Sequence, residues 1–384
     1  MQQQVQHDPG PDQATGTSVT PTQDATTTLP PVALAPVDDP EWESAWSTYW
    51  AALESGDRHG ALAVVRERHE GGAAPMEVIE RLVVPAQARI GDLWLTGGWS
   101  VAQEHQATAI NEGLVHWLGS FAPEADASAP LVIVSCLEHE RHALPALIVA
   151  ESLLLAGYRV TYVGGDPEPA GLLHDILSLK PRAVLFSASL TSSLAGQKSL
   201  FSSIRAIGIP VVVGGQAFGG DETRALALGA TAYAATPGEA ARVIDALPPR
   251  VPQTGPAEAG PADVEAAWIA DYHHEIAPYV VRAIAARHDV AVGAPSSAPD
   301  WWTDFPGYVD HVLGCLAAAL VVGDETIMIE VRDWLERVLE ARHAPDGLVA
   351  EVWGLLAEPL RGHPLARVHL AGAAPGHVPG QVPG

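Results

Sequence analysis

The chain has 384 residues, 47% of them apolar, with 46 Asp and Glu against 21 Lys and Arg and a formal charge of −25 at pH 7. That length allows two or three domains with sizeable cores. The negative charge repels phosphate backbones and no Lys/Arg cluster offsets it, so nucleic acid is not an expected partner.

Only Cys136 and Cys315 occur, far apart, which excludes a disulfide framework or a zinc spacing built from cysteines alone. The start, Met1-Gln-Gln-Gln-Val, lacks the apolar run of a signal peptide. Uncharged apolar stretches are too short to span a bilayer. A cytoplasmic protein without membrane contact is the expectation.

Residues 1–39 are rich in Gln, Thr, Pro and Asp, contain no Lys or Arg, and read as a disordered tail. From 40 to 125, apolar residues recur at three- and four-residue spacing with Gly and Asp at the breaks, which predicts a four-helix bundle. Within it, Trp94 precedes Gly97-Gly98, and Ser100 is a plausible N-cap for the next helix. Trp94 and the pair Glu104-His105 therefore belong to adjacent helices.

From 126 to 248 the texture changes. Five short runs, "PLVIVSC", "YRVTYVGG", "AVLFSAS", "PVVVGG" and "ATAYAAT", are each followed by a helical segment. This repeat predicts a flavodoxin-like, doubly wound sheet of five parallel strands, whose ligands bind beyond the carboxyl ends of the strands. At those ends stand Glu140 and His142, then Ser187, Ser189 and Leu190, then Gly214-Gly215. A histidine on a βα loop offers a ring nitrogen to a metal, and a carboxylate two residues earlier can bias its tautomer. Small Ser and Gly residues let a long ligand tail pass between strand and helix.

Residues 249–262 have the Pro/Gly composition of a linker, 263–368 read as a separate all-α domain, and 369–384 as a flexible tail. In the all-α part, Val309, Val312, Leu313, Leu316 and Leu320 share one helix face and read as core. The run Trp301-Trp302-Thr303-Asp304-Phe305 puts adjacent aromatics near a helix start, where a flat apolar pocket is expected.

The strand-end residues resemble those of the cobalamin-binding domain family, with its acid-x-His-x-x-Gly, Ser-x-Leu and Gly-Gly segments. The resemblance implies that His142 is the lower cobalt ligand. It also implies that a displaced nucleotide tail lies along Ser187, Ser189, Leu190, Gly214 and Gly215. Glu140 replaces the more frequent Asp, Pro145 stands in place of Gly, Ser189 in place of Leu, and Gly214 comes slightly early. The Trp-x9-Glu-His spacing is similar to that of light-responsive adenosylcobalamin proteins, which implies that Trp94, Glu104 and His105 meet the adenosyl group. There a His follows the Trp; here Leu95 follows, and it cannot bind a metal.

The domain order resembles that of the photocobilins, photoreceptors that join an adenosylcobalamin domain to a globin-like domain holding biliverdin. This resemblance implies a bilin among the C-terminal helices, with Trp302, Asp304, His311 and Arg282 as candidate contacts and Arg332 and Arg337 as further partners for propionates. Cys315 reads as a buried, inert thiol rather than a thioether anchor. A haem, or a dimerising bundle without chromophore, is an alternative use of these helices. The expectation is a light sensor and not an enzyme, with a light-dependent homo-oligomer and an unknown downstream protein. A corrinoid methyl carrier of a methyltransferase system and a cobalamin storage module are the alternatives.

Overall fold

The computed structural model describes residues 39–253, 255, 258–291 and 299–375. The expected tail 1–39 lies outside them except for Asp39, and so do residues 376–384 of the second tail.

The cap comprises α1 (Pro40–Ser55), α2 (Arg58–Glu70), α3 (Pro75–Val78), α4 (Val84–Leu95) and α5 (Val101–Gly119). Asp39 begins α1 as its N-cap, accepting from Glu41 N at 3.0 Å, so it belongs to the bundle and not to the tail. A π-helical turn, Ile79–Val83, joins α3 to α4 just before Pro85, making one continuous rod. Proline removes one helical donor and crowds the carbonyl behind it, and a wider turn relieves both. Ser100 and Gln103 form a capping box at the start of α5. Inside the bundle, Tyr49 Oη donates to Asn111 Oδ1 at 2.6 Å. The cap core extends onto Leu144, Leu147 and Ile148, so the bundle is seated on the first helix after the first strand.

The strands are β1 (Leu131–Cys136), β2 (Arg159–Gly164), β3 (Ala183–Ser187), β4 (Val211–Gly214) and β5 (Ala232–Tyr233). They alternate with α6 (Ala143–Leu155), α7 (Pro169–Leu179), α8 (Gln197–Ala206), α9 (Thr223–Ala227) and α10 (Ala240–Ala246). All pairings are parallel and the order is β2-β1-β3-β4-β5. β1 and β3 are almost wholly buried because both sheet faces are covered, whereas edge strand β2 leaves Tyr162 and Val163 exposed. The chain reverses its direction across the sheet between β1 and β3, which makes their carboxyl ends the topological switch point.

The C-terminal helical region comprises α11 (Pro261–Arg287), α12 (Asp300–Thr303), α13 (Phe305–Val322), α14 (Thr326–Ala341), α15 (Leu348–Leu356) and α16 (Pro364–Gly372). Three expectations are corrected here. Helix α11 starts at Pro261, inside the expected linker, because proline suits a first helical turn. Helix α16 runs on to Gly372, past the expected domain end at 368, with Leu370 buried. The region is also not a separate body. Its core residues Val309, Val312, Leu313, Leu316 and Leu320 join one continuous cluster with Ile133, Val184, Phe186, Val211 and Val213 on one sheet face.

Gly314 explains part of that union. A Cβ there would collide with Ser192, so glycine lets α13 lie directly on the turn Thr191–Leu194 that follows β3. Helix α13 is also long and apolar enough to cross a membrane, contrary to the sequence expectation, but 72% of it is buried inside the protein. Arg224 of α9, 5% exposed, pins the union electrostatically. It reaches Asp324 and Glu330 at 2.7 Å each and the Ala217 carbonyl at 3.3 Å. Removing one partner of a buried ion pair strands the others, so Arg224→Ala is expected to cost about 3 kcal/mol, read as a lowered urea midpoint.

Candidate cobalamin site

β1 ends at Cys136, and the next residues form a tight loop rather than a helix. His139 takes a left-handed φ of 66°, its N–H donates to Asp166 at 2.9 Å, and its ring is exposed. The loop turns Glu140 inward, where it is fully buried. His142 caps α6 and points out of the strand end, with its side chain 54% exposed. Pro145 falls in the first turn of α6, where its missing N–H leaves no helical bond unmade, so its replacement of glycine leaves the helix intact.

The Glu140 carboxylate collects four donors. Oε1 accepts from His142 N at 2.8 Å and lies 2.6 Å from His142 Nδ1. Oε2 accepts from Ser189 N at 2.7 Å and Leu190 N at 2.8 Å. Burial alone would raise this carboxyl, but the His142 hydrogen bond and charge and the backbone donors hold it below its ordinary range. The same hydrogen bond lifts His142 above its ordinary value against partial burial, and Glu104 of the cap adds to the lift. With Nδ1 donating to Glu140, the neutral ring carries its lone pair on Nε2. That is the tautomer a metal requires.

The glycine pair answers to backbone crowding. A Cβ on Gly215, at φ +104°, would strike the Ala188 carbonyl, and one on Gly214 would strike that of Ala234. Ala188 N donates to Gly214 O at 3.1 Å, and Ala217 N to Ala188 O at 3.1 Å, so the two strand ends are laced together. Ser187 is 6% exposed, while Ser189 and Leu190 are half-buried beside Glu140. The structure thus brings Glu140, His142, Ser189 and Leu190 together, with Ser187, Gly214 and Gly215 next to them.

On the cap side, Glu104 is half-buried and bonded to Thr108 at 3.3 Å, while His105 is largely exposed and 3.3 Å from Glu104. Trp94 is half-buried at the end of α4. Of these three, Glu104 is the one whose negative charge favours the protonated form of His142.

The four candidate bilin residues are spread apart. Trp302 stacks on Phe305, meets Trp301 edge-on and is 6% exposed, so it fills core rather than lining a pocket. Asp304 and Arg282 are exposed, at the start of α13 and on the outer face of α11. His311 instead joins the switch point: Nδ1 lies 3.0 Å from Ser192 Oγ, Nε2 3.6 Å from Cys315 Sγ, and the ring 4.9 Å from Trp334. Cys315 is buried, which pushes its thiol up and keeps it uncharged. Arg332 is engaged by Asp333 and Ala373 O, and Arg337 bonds Asp333 O. Sequence reading missed Ser192 and Arg342, whose contacts join segments more than a hundred residues apart, and Tyr308, whose ring Arg342 approaches.

The loop with Glu140 and His142 and the glycine pair thus stand side by side at the carboxyl ends of the strands. Residues 130–245 match the B12 binding domain model, and residues 47–118 match a second B12 binding domain model that covers the cap. The chain is a cobalamin-binding protein with a helical cap over a five-stranded B12-binding domain, followed by a helical region that neither model reaches. Its relatives include trimethylamine corrinoid protein 2 of Methanosarcina mazei, 23% identical over 159 residues, 40% of this chain and 72% of that one. The HTH-type transcriptional repressor CarH of Myxococcus xanthus is 27% identical over 146 residues, 37% of this chain and 48% of that one. Among solved structures, the monomethylamine corrinoid protein of Methanosarcina barkeri aligns at 19% identity with a TM-score of 0.47, covering 53% of this chain and 99% of that one.

Burial pushes His311 down to about 4, against the attraction of Glu140. A depressed imidazole resists protonation in the fold while the unfolded chain takes up its proton near 6.5. The contribution of His311 is therefore intact above pH 6.5 and is lost as pH falls from there towards 4. Thermal melts of the cofactor-free protein over this range are expected to show that slope, flattened in His311→Gln.

Proposed function

We propose that this cobalamin protein is a light sensor that binds the adenosyl form. The observation that carries the reading is the seating of the cap on α6, the helix that His142 begins, with half-buried Glu104 on α5 and Trp94 at the end of the preceding cap helix. A roof that presents an indole and a carboxylate suits a bulky, polar upper ligand better than a methyl group. When bound, adenosylcobalamin supplies a weak cobalt–carbon bond that light can break. The protein's part is to hold the metal from below through His142 Nε2, to keep that tautomer through Glu140, and to let the cap rest on whatever occupies the upper face. No group is transferred in this reading, and the output is a change of conformation or of oligomer.

Biliverdin is proposed as a second chromophore held by a globin-like arrangement of the C-terminal helices. His311 is the candidate contact nearest the cobalamin site, with Tyr308 one turn before it. The alternative reading, a corrinoid methyl carrier, is favoured by the relatives named corrinoid proteins.

Absorption spectra and light scattering of the adenosylcobalamin-loaded protein, in the dark and after green light, separate the readings. A sensor changes both spectrum and size. A carrier accepts methylcobalamin as readily and keeps its size in light. His142→Ala is expected to weaken cobalamin binding by at least about tenfold and to shift the spectrum towards that of the free cofactor. Unchanged affinity and spectrum would remove the lower-ligand assignment. Expression with biliverdin is expected to add a red band that His311→Ala displaces.

A further inference from the structure

Leu95, where light-responsive relatives of the motif carry a histidine, has a structural role of its own. The end of α4 is divided between two cores. Leu93 and Trp99 pack on the cap cluster, whereas Trp94 and Leu95 pack on the cluster that contains the C-terminal helices. Leu95 is a packing residue of the C-terminal region, reaching it from the cap.

Arg342, just past the end of α14, completes the junction. Its Nη2 donates to Trp94 O at 3.1 Å, and its Nη1 to Leu95 O at 3.2 Å and Val338 O at 3.1 Å. The guanidinium carbon lies 5.2 Å from the centre of the Trp94 ring and 5.9 Å from that of Tyr308. Those two α4 carbonyls belong to the helix end, which carries partial negative charge; Trp94 O also accepts from Gly97 N at 3.1 Å. Gly97 supplies the left-handed turn, φ +70°, that follows the helix and brings it alongside Ala341 O. Among the described residues Arg342 has no carboxylate partner, although the chain carries 46 acids. Its charge meets three carbonyls and two aromatic faces. The Tyr308 hydroxyl beside it is buried without a hydrogen-bond partner.

We propose that Arg342 is a positioning residue for the upper face of the cobalamin site: it fixes the Trp94 indole, so that the C-terminal helices decide how well the site accepts an adenosyl group. The inference rests on the reading of Trp94 as the residue that meets the upper ligand. Arginine suits the task because one planar fork holds two carbonyls while its face stacks on a ring.

The test is a set of absorbance titrations in the dark, with adenosylcobalamin and hydroxocobalamin, on the full chain and on Arg342→Gln, Arg342→Lys, Trp94→Ala and the Arg342→Gln/Trp94→Ala double variant. Arg342→Gln is expected to lower the adenosyl-to-hydroxo affinity ratio by about fivefold, the size of a part-buried cation–π contact. Arg342→Lys is expected to restore part of the ratio, because it keeps the cation and loses the fork. Trp94→Ala is expected to abolish the preference, and Arg342→Gln to add nothing to it. In the cofactor-free protein, hydrogen exchange is expected to rise over residues 93–99 in Arg342→Gln while β1 stays protected. An unchanged ratio in Arg342→Gln, equal losses for both cofactors, or additive effects of the two substitutions would overturn the assignment to Arg342 alone. A Trp94→Ala protein that keeps the wild-type preference would overturn the reading of Trp94 and the inference with it. If Arg342→Gln loosens the whole fold, Arg342→Lys carries the comparison.

Discussion

A single buried carboxylate organises the lower half of the site. Glu140 lies at the switch point of the sheet, where two strand ends diverge and backbone N–H groups are left without sheet partners. Its two oxygens bridge the loop after β1 to the loop after β3 and hold the His142 ring at the same time. A glutamate removed from water is costly unless its lone pairs are filled, and here four donors fill them. The side chain is one methylene longer than aspartate, and the two backbone donors at its far end use that reach. Loop geometry, tautomer and ring direction thus follow from one group.

The upper half is arranged differently, because it is shared. The cap core runs onto α6, the helix that His142 begins, so the bundle and His142 share one element. Glu151 of α6 reinforces the seat by pairing with His116 of α5 at 2.9 Å, in space left free because residue 119 has no side chain. At its other end the cap gives Trp94 and Leu95 to the C-terminal core. The helical region therefore touches the roof through α4 and the floor through Ser192, and it flanks the gap between them.

Much of the sheet was legible in the sequence, since buried parallel strands leave unbroken apolar runs and each run here precedes a helix. The place of His142 at a strand end was legible because a residue on a βα loop has a fixed place in chain order. The helical rods of the cap were legible from their period, although the π turn before Pro85 was not. What escaped was set by contacts without a local period. Arg342 meets carbonyls 247 and 248 residues away, and nothing in "EARH" distinguishes it from a solvated helix end. Trp302 failed for the opposite reason: adjacent aromatics signal burial, and burial inside a core looks the same in sequence as burial around a ligand. The expected independence of the C-terminal helices rested on linker-like composition, which does not report what the next helices pack against.

The two arginines that tie the C-terminal region to the rest differ in strength, and the difference has a direction. Arg224 is enclosed, with two carboxylates and a carbonyl, and breaking such a set leaves charges stranded at a cost of about 3–5 kcal/mol. Arg342 is half-buried against rings and carbonyls, contacts worth about 0.5–2 kcal/mol when lost. The floor contact is therefore the stiffer of the two. Of these two junctions the Trp94 end is held the more weakly: two glycines follow the helix, and among the described residues Arg342 and the packing of Trp94 and Leu95 hold it.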